Sequence, residues 1–102
     1  IAHITGGGLI ENIPRVLPNN TKAIIETSSW QLPTIFQWLQ QNGNISNEEM
    51  HRTFNCGVGM IVVVPESQTQ QVIESLQQLG ENAWLLGAIQ AHNEEQPQTE
   101  IR

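Results

Sequence analysis

Apolar side chains recur along this chain at two spacings, and clusters of turn-forming residues separate the runs. An apolar lead-in over residues 1–4 reads as a strand and runs into Gly6-Gly7-Gly8. Leu9, Ile10 and Ile13 then share the apolar face of a short helix, with Thr5 placed to cap it. Pro14 limits that helix, because its ring clashes with the carbonyl of Ile10 and it donates no bond; residues 15–17 close the turn. Pro18-Asn19-Asn20 is turn chemistry, and residues 22–27, centred on Ala23, Ile24 and Ile25, predict a strand. A second helix starts at Pro33 and carries Ile35, Phe36 and Leu39 as far as Gly43. Ser46-x-x-Glu49 has the form of a capping box opening a third, with Met50 and Phe54 on one face.

Asn55-Cys56-Gly57 predicts a turn into a central strand over residues 58–64. Ser67-x-x-Gln70 opens the clearest helical pattern, with Val72, Ile73, Leu76 and Leu79 inward and Gly80 as its stop. Residues 83–89 read as another strand. Strand, helix and strand with short links suggest a crossover unit in one sheet. The fold class expected is α+β, a layered α/β domain with a mixed sheet flanked by helices. Residues 1–102 make one domain. It ends in a polar tail over residues 92–102, frayed or an edge strand, whose only apolar side chains are Pro97 and Ile101. The chain begins at Ile1 in what reads as mid-strand, so a fragment is expected, with the missing part on the N-terminal side.

Composition narrows the function classes. The net charge is −6, with ten glutamates and only Arg15, Lys22, Arg52 and Arg102 as cations, which argues against a nucleic-acid face. No apolar run is long enough to span a bilayer. The single cysteine, Cys56, excludes an internal disulfide, and a reducing, cytoplasmic setting fits best.

The glycine triplet carries the sharpest chemistry. Glycines let backbone N–H groups approach a ligand with no Cβ in the way, and a helix start leaves its first donors unpaired. Thr5, Gly6, Gly7 and Gly8 therefore predict a cradle for a phosphate or carboxylate. It is not a Walker A loop, since no Gly-Lys-Ser/Thr follows, and taken alone such a triplet before a helix is more often a tight turn. Gly57-x-Gly59 is no dinucleotide fingerprint, because Val62 stands where the third glycine belongs. His3, just before the loop, reads either as a hydrogen-bonded strand residue or as a proton carrier. Glu11 and Arg15 suit a helix ion pair, or Arg15 turns inward as a phosphate fork. Asn12 caps the following turn. Cys56 reads as a buried filler, Trp30, Trp38 and Trp84 as core or domain-interface anchors, and Glu48-Glu49 and Glu94-Glu95 as solvated faces. His3, His51, His92 and Cys56 share no metal-ligand spacing, so no metal site is expected from side chains of this chain.

Residues 2–18, Ala-His-Ile-Thr-Gly-Gly-Gly-Leu-Ile-Glu-Asn-Ile-Pro-Arg-Val-Leu-Pro, closely resemble a signature of the aminoimidazole ribonucleotide synthetases, also called phosphoribosylformylglycinamidine cyclo-ligases. Phe54-Asn55-Cys56-Gly57-Val58-Gly59-Met60 resembles a second signature of the same family, and Ser29-Trp30-Gln31 and Gly80-Glu81-Asn82-Ala83-Trp84 also fit. The resemblance runs in order through about Ala91. The wider superfamily (selenophosphate synthetase, thiamine monophosphate kinase, formylglycinamidine synthetase) has variant glycine-rich loops here, and the Glu-Asn-x-Pro-Arg continuation favours the cyclo-ligase.

The resemblance implies the C-terminal domain of a two-domain, homodimeric enzyme of purine biosynthesis. It implies ATP and Mg2+ held mainly by an N-terminal domain of the same protein, and ATP-dependent ring closure of formylglycinamidine ribonucleotide. On that reading Thr5 to Gly8 hold substrate phosphate, assisted by Arg15 or Asn55, and His3 handles a proton. The chain alone is then expected to bind phosphate in the millimolar range or worse and to be inactive. The alternatives are a non-catalytic interaction domain, in which the glycines are only a turn, or the same domain from a related synthetase or kinase.

Overall fold

A computed structural model describes residues 1–93 and 97–102. The described residues form, in chain order, β1 (Ala2–His3), α1 (Gly8–Asn12), β2 (Thr21–Ile25), α2 (Thr34–Gly43), α3 (Asn47–Thr53), β3 (Met60–Ile61), α4 (Thr69–Gln78), β4 (Gly87–Ala91) and β5 (Thr99–Ile101). Single 3-10 turns occupy Pro14–Val16, Thr27–Ser29 and Glu66–Gln68. The fold is α+β. Its larger sheet is mixed, in the order β4-β2-β5, with β2 antiparallel to β4 and parallel to β5; β1 and β3 form a separate antiparallel pair.

Local chemistry explains most of these boundaries. α1 stops at Asn12 before Pro14, and the chain continues as a 3-10 turn in which the Leu17 N–H reaches the Pro14 carbonyl. Pro33 sits at the N-cap of α2, whose end is the left-handed Asn44, one residue beyond the expected Gly43. Ser46 caps α3 as its spacing predicts, Oγ accepting the Glu49 N–H at 3.2 Å. Gly80 does stop α4. Its N–H goes to the Gln77 carbonyl and that of Glu81 to Leu76, the paired bonds of a Schellman motif.

Several expectations need correction. Thr5 does not cap α1: Gly7 is the N-cap, and no side chain caps that end. Ser67-x-x-Gln70 makes no box either. Pro65 starts a 3-10 turn that holds Ser67, and α4 begins only at Thr69. Leu79 is exposed, and Val72, Ile73 and Leu76 are half-buried. The strand expected over residues 58–64 is only Met60–Ile61. The register with β1 would set Val62 opposite Ile1 and nothing opposite Val63 and Val64, so a ladder has no partner there among the described residues. The crossover fails for a related reason. β3 pairs with β1 in a separate sheet and β4 pairs with β2, so the strand, helix and strand do not share one sheet. The strand of residues 22–27 is shifted to Thr21–Ile25, and that of 83–89 to Gly87–Ala91. Residues 99–101 of the polar tail form the edge strand β5, while the Glu94-Glu95 pair read as a solvated face lies outside the described residues.

The core lies between the two sheets and α1. Ala2, Ile4, Leu9, Ile13, Ala23, Ile25 and Val58 are buried together, with Trp30, Trp84 and Ile101 packed against them. Because Ala2 and Ile4 point inward, His3 between them faces solvent.

Candidate functional site

The glycine triplet turns out to be three different positions. Gly6 is exposed, has an ordinary φ, and a Cβ there would meet nothing within 4 Å. Gly7 sits at φ +96°, where a side chain is strained, and Glu11 fills the space a Cβ would take. Gly8 is buried at φ +61°, and a Cβ would strike the main-chain oxygens of His51 and Phe54 at the end of α3. Gly8 therefore allows α1 and α3 to pack backbone against backbone.

Donors divide in the same way. The Gly8 N–H goes to the Thr5 carbonyl at 2.9 Å, whereas the N–H groups of Gly6 and Gly7 meet no acceptor among the described residues. What holds this loop is Asn12, a residue the sequence reading assigned only to the following turn. Its side-chain amide is 4% exposed and donates to the carbonyls of Gly8 (2.8 Å), Thr5 (3.2 Å) and Gly6 (3.3 Å). Its Oδ1 accepts from Thr5 Oγ1 and from Arg15 Nη1, both at 3.3 Å. The signal was the spacing: an Asn four residues after Gly8 lies one helical turn on, directly over the loop carbonyls.

Arg15 is thus brought to the loop through Asn12. It makes no ion pair with Glu11, because the 3-10 turn after Ile13 swings it off the helical face that a four-residue spacing assumes. Asn55 follows Phe54, whose carbonyl abuts Gly8; its Oδ1 accepts the Gly57 N–H at 2.9 Å and so shapes the turn at Cys56 and Gly57. His3 stands apart, exposed on β1 opposite Met60.

Cys56 is fully buried, and burial pushes its thiol up to about 11, which suits a filler and not a nucleophile. Trp30 donates from Nε1 to the Cys56 carbonyl at 3.0 Å and packs 6.3 Å from Trp84, whose own Nε1 donates to Ser29 Oγ. These two indoles anchor the core, whereas Trp38 is 57% exposed. Among the described residues no group of three or more His, Cys, Asp or Glu side chains is placed to hold a metal ion, and no helix is long and apolar enough to cross a membrane.

A family model described as AIR synthase related protein, C-terminal domain, matches residues 1–100. The chain belongs to this family. In AIR synthase related proteins the domain is the C-terminal partner of an N-terminal one. The matched residues include both the Asn12-tied glycine loop and the Phe54–Gly57 turn that packs beside it.

Proposed function

We propose that this AIR synthase related domain is the C-terminal part of a phosphoribosylformylglycinamidine cyclo-ligase, and that its glycine loop receives substrate phosphate. One observation carries the second half: Gly6 and Gly7 present two main-chain donors without acceptors among the described residues, in a loop where Asn12 already donates to the carbonyls of Thr5, Gly6 and Gly8. Those two donors are preset toward an anion, although the Glu11 carboxylate lies beside Gly7 and opposes negative charge there. The first half rests on the Glu11-Asn12-Ile13-Pro14-Arg15 continuation and the Phe54 to Met60 stretch, both of which resemble the cyclo-ligase signatures.

In that reaction ATP supplies the phosphoryl group that makes the formyl amide oxygen of the substrate a leaving group. The part of this chain is positional: Gly6 and Gly7 fix the ribose phosphate, and Arg15 is tied to the loop through Asn12, two hydrogen bonds away. Gly8 keeps α1 against α3 and so sets where the loop points. His3 remains a candidate proton carrier only if the substrate reaches the exposed face of β1. ATP, Mg2+ and the dimer contacts belong on this reading to the N-terminal domain, in a cytoplasmic protein.

The helix behind the loop has only five residues, so its dipole adds little, and the donors act as individual hydrogen bonds. Two charge-assisted bonds of roughly 1.5–3 kcal/mol each correspond to a millimolar dissociation constant, about 4 kcal/mol. Titration of the chain with inorganic phosphate should move the Gly6 and Gly7 amide resonances most. Largest shifts elsewhere would remove the loop from the site. In the full-length protein, Gly6→Val should cut ATP-dependent ring closure at least tenfold with the fold unchanged, and a wild-type full-length protein with no ring-closing activity rejects the cyclo-ligase reading.

A further inference from the structure

A second concavity lies away from the glycine loop's free donors. It is an open cleft of about 680 Å³, a size that suits small-molecule ligands, bounded by Ile10, Leu32, Trp30, His51, Thr99 and Ile101. One side is the open edge of β5. The Gln98 carbonyl and the Arg102 N–H are taken by Ala23 and Ile25 of β2, so the main-chain groups of Thr99 and Ile101 alternate away from the sheet. Thr99 is 7% exposed, and its Oγ1 is buried without a hydrogen-bond partner among the described residues. Buried hydroxyls are normally satisfied, so this one is free to take a further hydrogen bond.

The opposite wall is aromatic. The indole of Trp30 is fixed by its bond to the Cys56 carbonyl, and His51 stands edge-on to it at 6.3 Å. His51 Nδ1 lies 2.8 Å from the Asn47 carbonyl, which only accepts, so in the neutral ring Nδ1 carries the hydrogen and Nε2 is an acceptor. Nε2 has no partner among the described residues. The charged groups at the rim are occupied: Glu100 by Lys22 and Arg102, Glu48 by Arg52. Among the described residues, what the cleft leaves unused besides its apolar walls is neutral: the His51 Nε2 acceptor, the Thr99 hydroxyl, the Asn47 amide N–H2 and the main-chain groups of Thr99 and Ile101.

We infer that this cleft is a binding site for a small, uncharged planar molecule with hydrogen-bonding groups on two edges, such as a neutral heteroaromatic carboxamide. Its flat face lies on Trp30, its donor reaches His51 Nε2, and its second polar edge meets Thr99, whose hydroxyl turns toward it by rotation about χ1. An anion of the same shape is disfavoured because the cations at the rim are already paired, Arg102 with Glu100 and Arg52 with Glu48, and a carboxylate in the cleft would go without a counter-charge.

The test uses nicotinamide and nicotinate as a matched neutral and anionic pair, titrated into the 102-residue chain and followed by amide and indole resonances. Nicotinamide should give saturable shifts centred on Thr99, Ile101 and the Trp30 indole, with nicotinate at least tenfold weaker. Thr99→Val should weaken nicotinamide at least tenfold and raise the denaturation midpoint of the free chain, because it deletes an unsatisfied hydroxyl. Leu32→Trp, which fills the slot, should abolish the shifts independently. No saturable shift with nicotinamide, shifts centred on Gly6 and Gly7 instead, unchanged affinity in Thr99→Val, or a lowered midpoint for that variant each overturn the inference.

Discussion

Gly6 and Gly8 are two residues apart, yet the structure asks opposite things of them. A methyl group on Gly8 meets the carbonyl oxygens of His51 and Phe54 and must also adopt a left-handed backbone. Gly8→Ala should therefore cost on the order of 3 kcal/mol in urea denaturation, while Gly6→Ala should stay within about 0.5 kcal/mol. Only Gly6 substitutions thus separate function from folding. Asn12→Ala removes the donor to three carbonyls, among them that of the buried Gly8, and should cost about 1–3 kcal/mol. Its clearest sign would be fast amide exchange at Gly8, whose bond to Thr5 depends on the loop shape. Cys56 offers a chemical check. A thiol raised from 9.0 to about 11 carries roughly a hundredth of the usual thiolate, so iodoacetamide at pH 8 should label it at least a hundredfold more slowly in the folded chain than in urea. At this scale the sequence was informative about residue type, in the glycines and the filler cysteine. It was uninformative about partners: the tie between Asn12 and the loop appears only once the helix is built.

Among the elements, the two Ser-x-x-Glu/Gln patterns had the same appearance and different fates. Ser46 follows a left-handed break at Asn44, so the chain enters α3 extended and its hydroxyl meets the Glu49 N–H. Ser67 follows Pro65 by two residues. The 3-10 turn that Pro65 opens, closed by the Gln68 N–H on its carbonyl, places Ser67 inside a turn before the helix can start. Ser46→Ala should accordingly cost about 1 kcal/mol and Ser67→Ala close to nothing, measured as shifts in urea midpoint at constant slope. Proline position thus decided what the capping pattern left open. Strand length resisted reading for a different reason. The valine run from Val62 to Val64 has strand propensity, but a strand exists only where a neighbour supplies its ladder, and that neighbour is not encoded locally.

For the whole molecule, the class α+β followed from helical and strand spacings alone, whereas the sheet order depends on which strands pair with the two edges of β2. β5, from the least apolar part of the chain, holds one of those edges. Its grip is partly ionic: Glu100 sits across from Ile24 in the register and pairs with Lys22 of β2 at 3.3 Å. Hydrogen bonding from Arg102, and after it from Lys22, holds the Glu100 carboxyl below its ordinary 4.5 against an opposing desolvation effect. A folded-state value below the unfolded one stabilises the fold at pH above 4.5, and that contribution disappears as the pH falls through the folded value. Acidification from pH 5 should therefore loosen β5 before the rest of the sheet. Amide exchange at Ala23, which donates to the Gln98 carbonyl, and at Arg102, which donates to Ile25, should accelerate below pH 4.5 while the β2–β4 ladder stays protected. Since Glu100 is solvent-exposed, the effect should be modest and should shrink further in high salt. Glu100→Gln should flatten the pH dependence of those two amides. If they respond to acid identically in the variant, the edge strand is held by its main-chain bonds and the carboxylate contributes nothing to it.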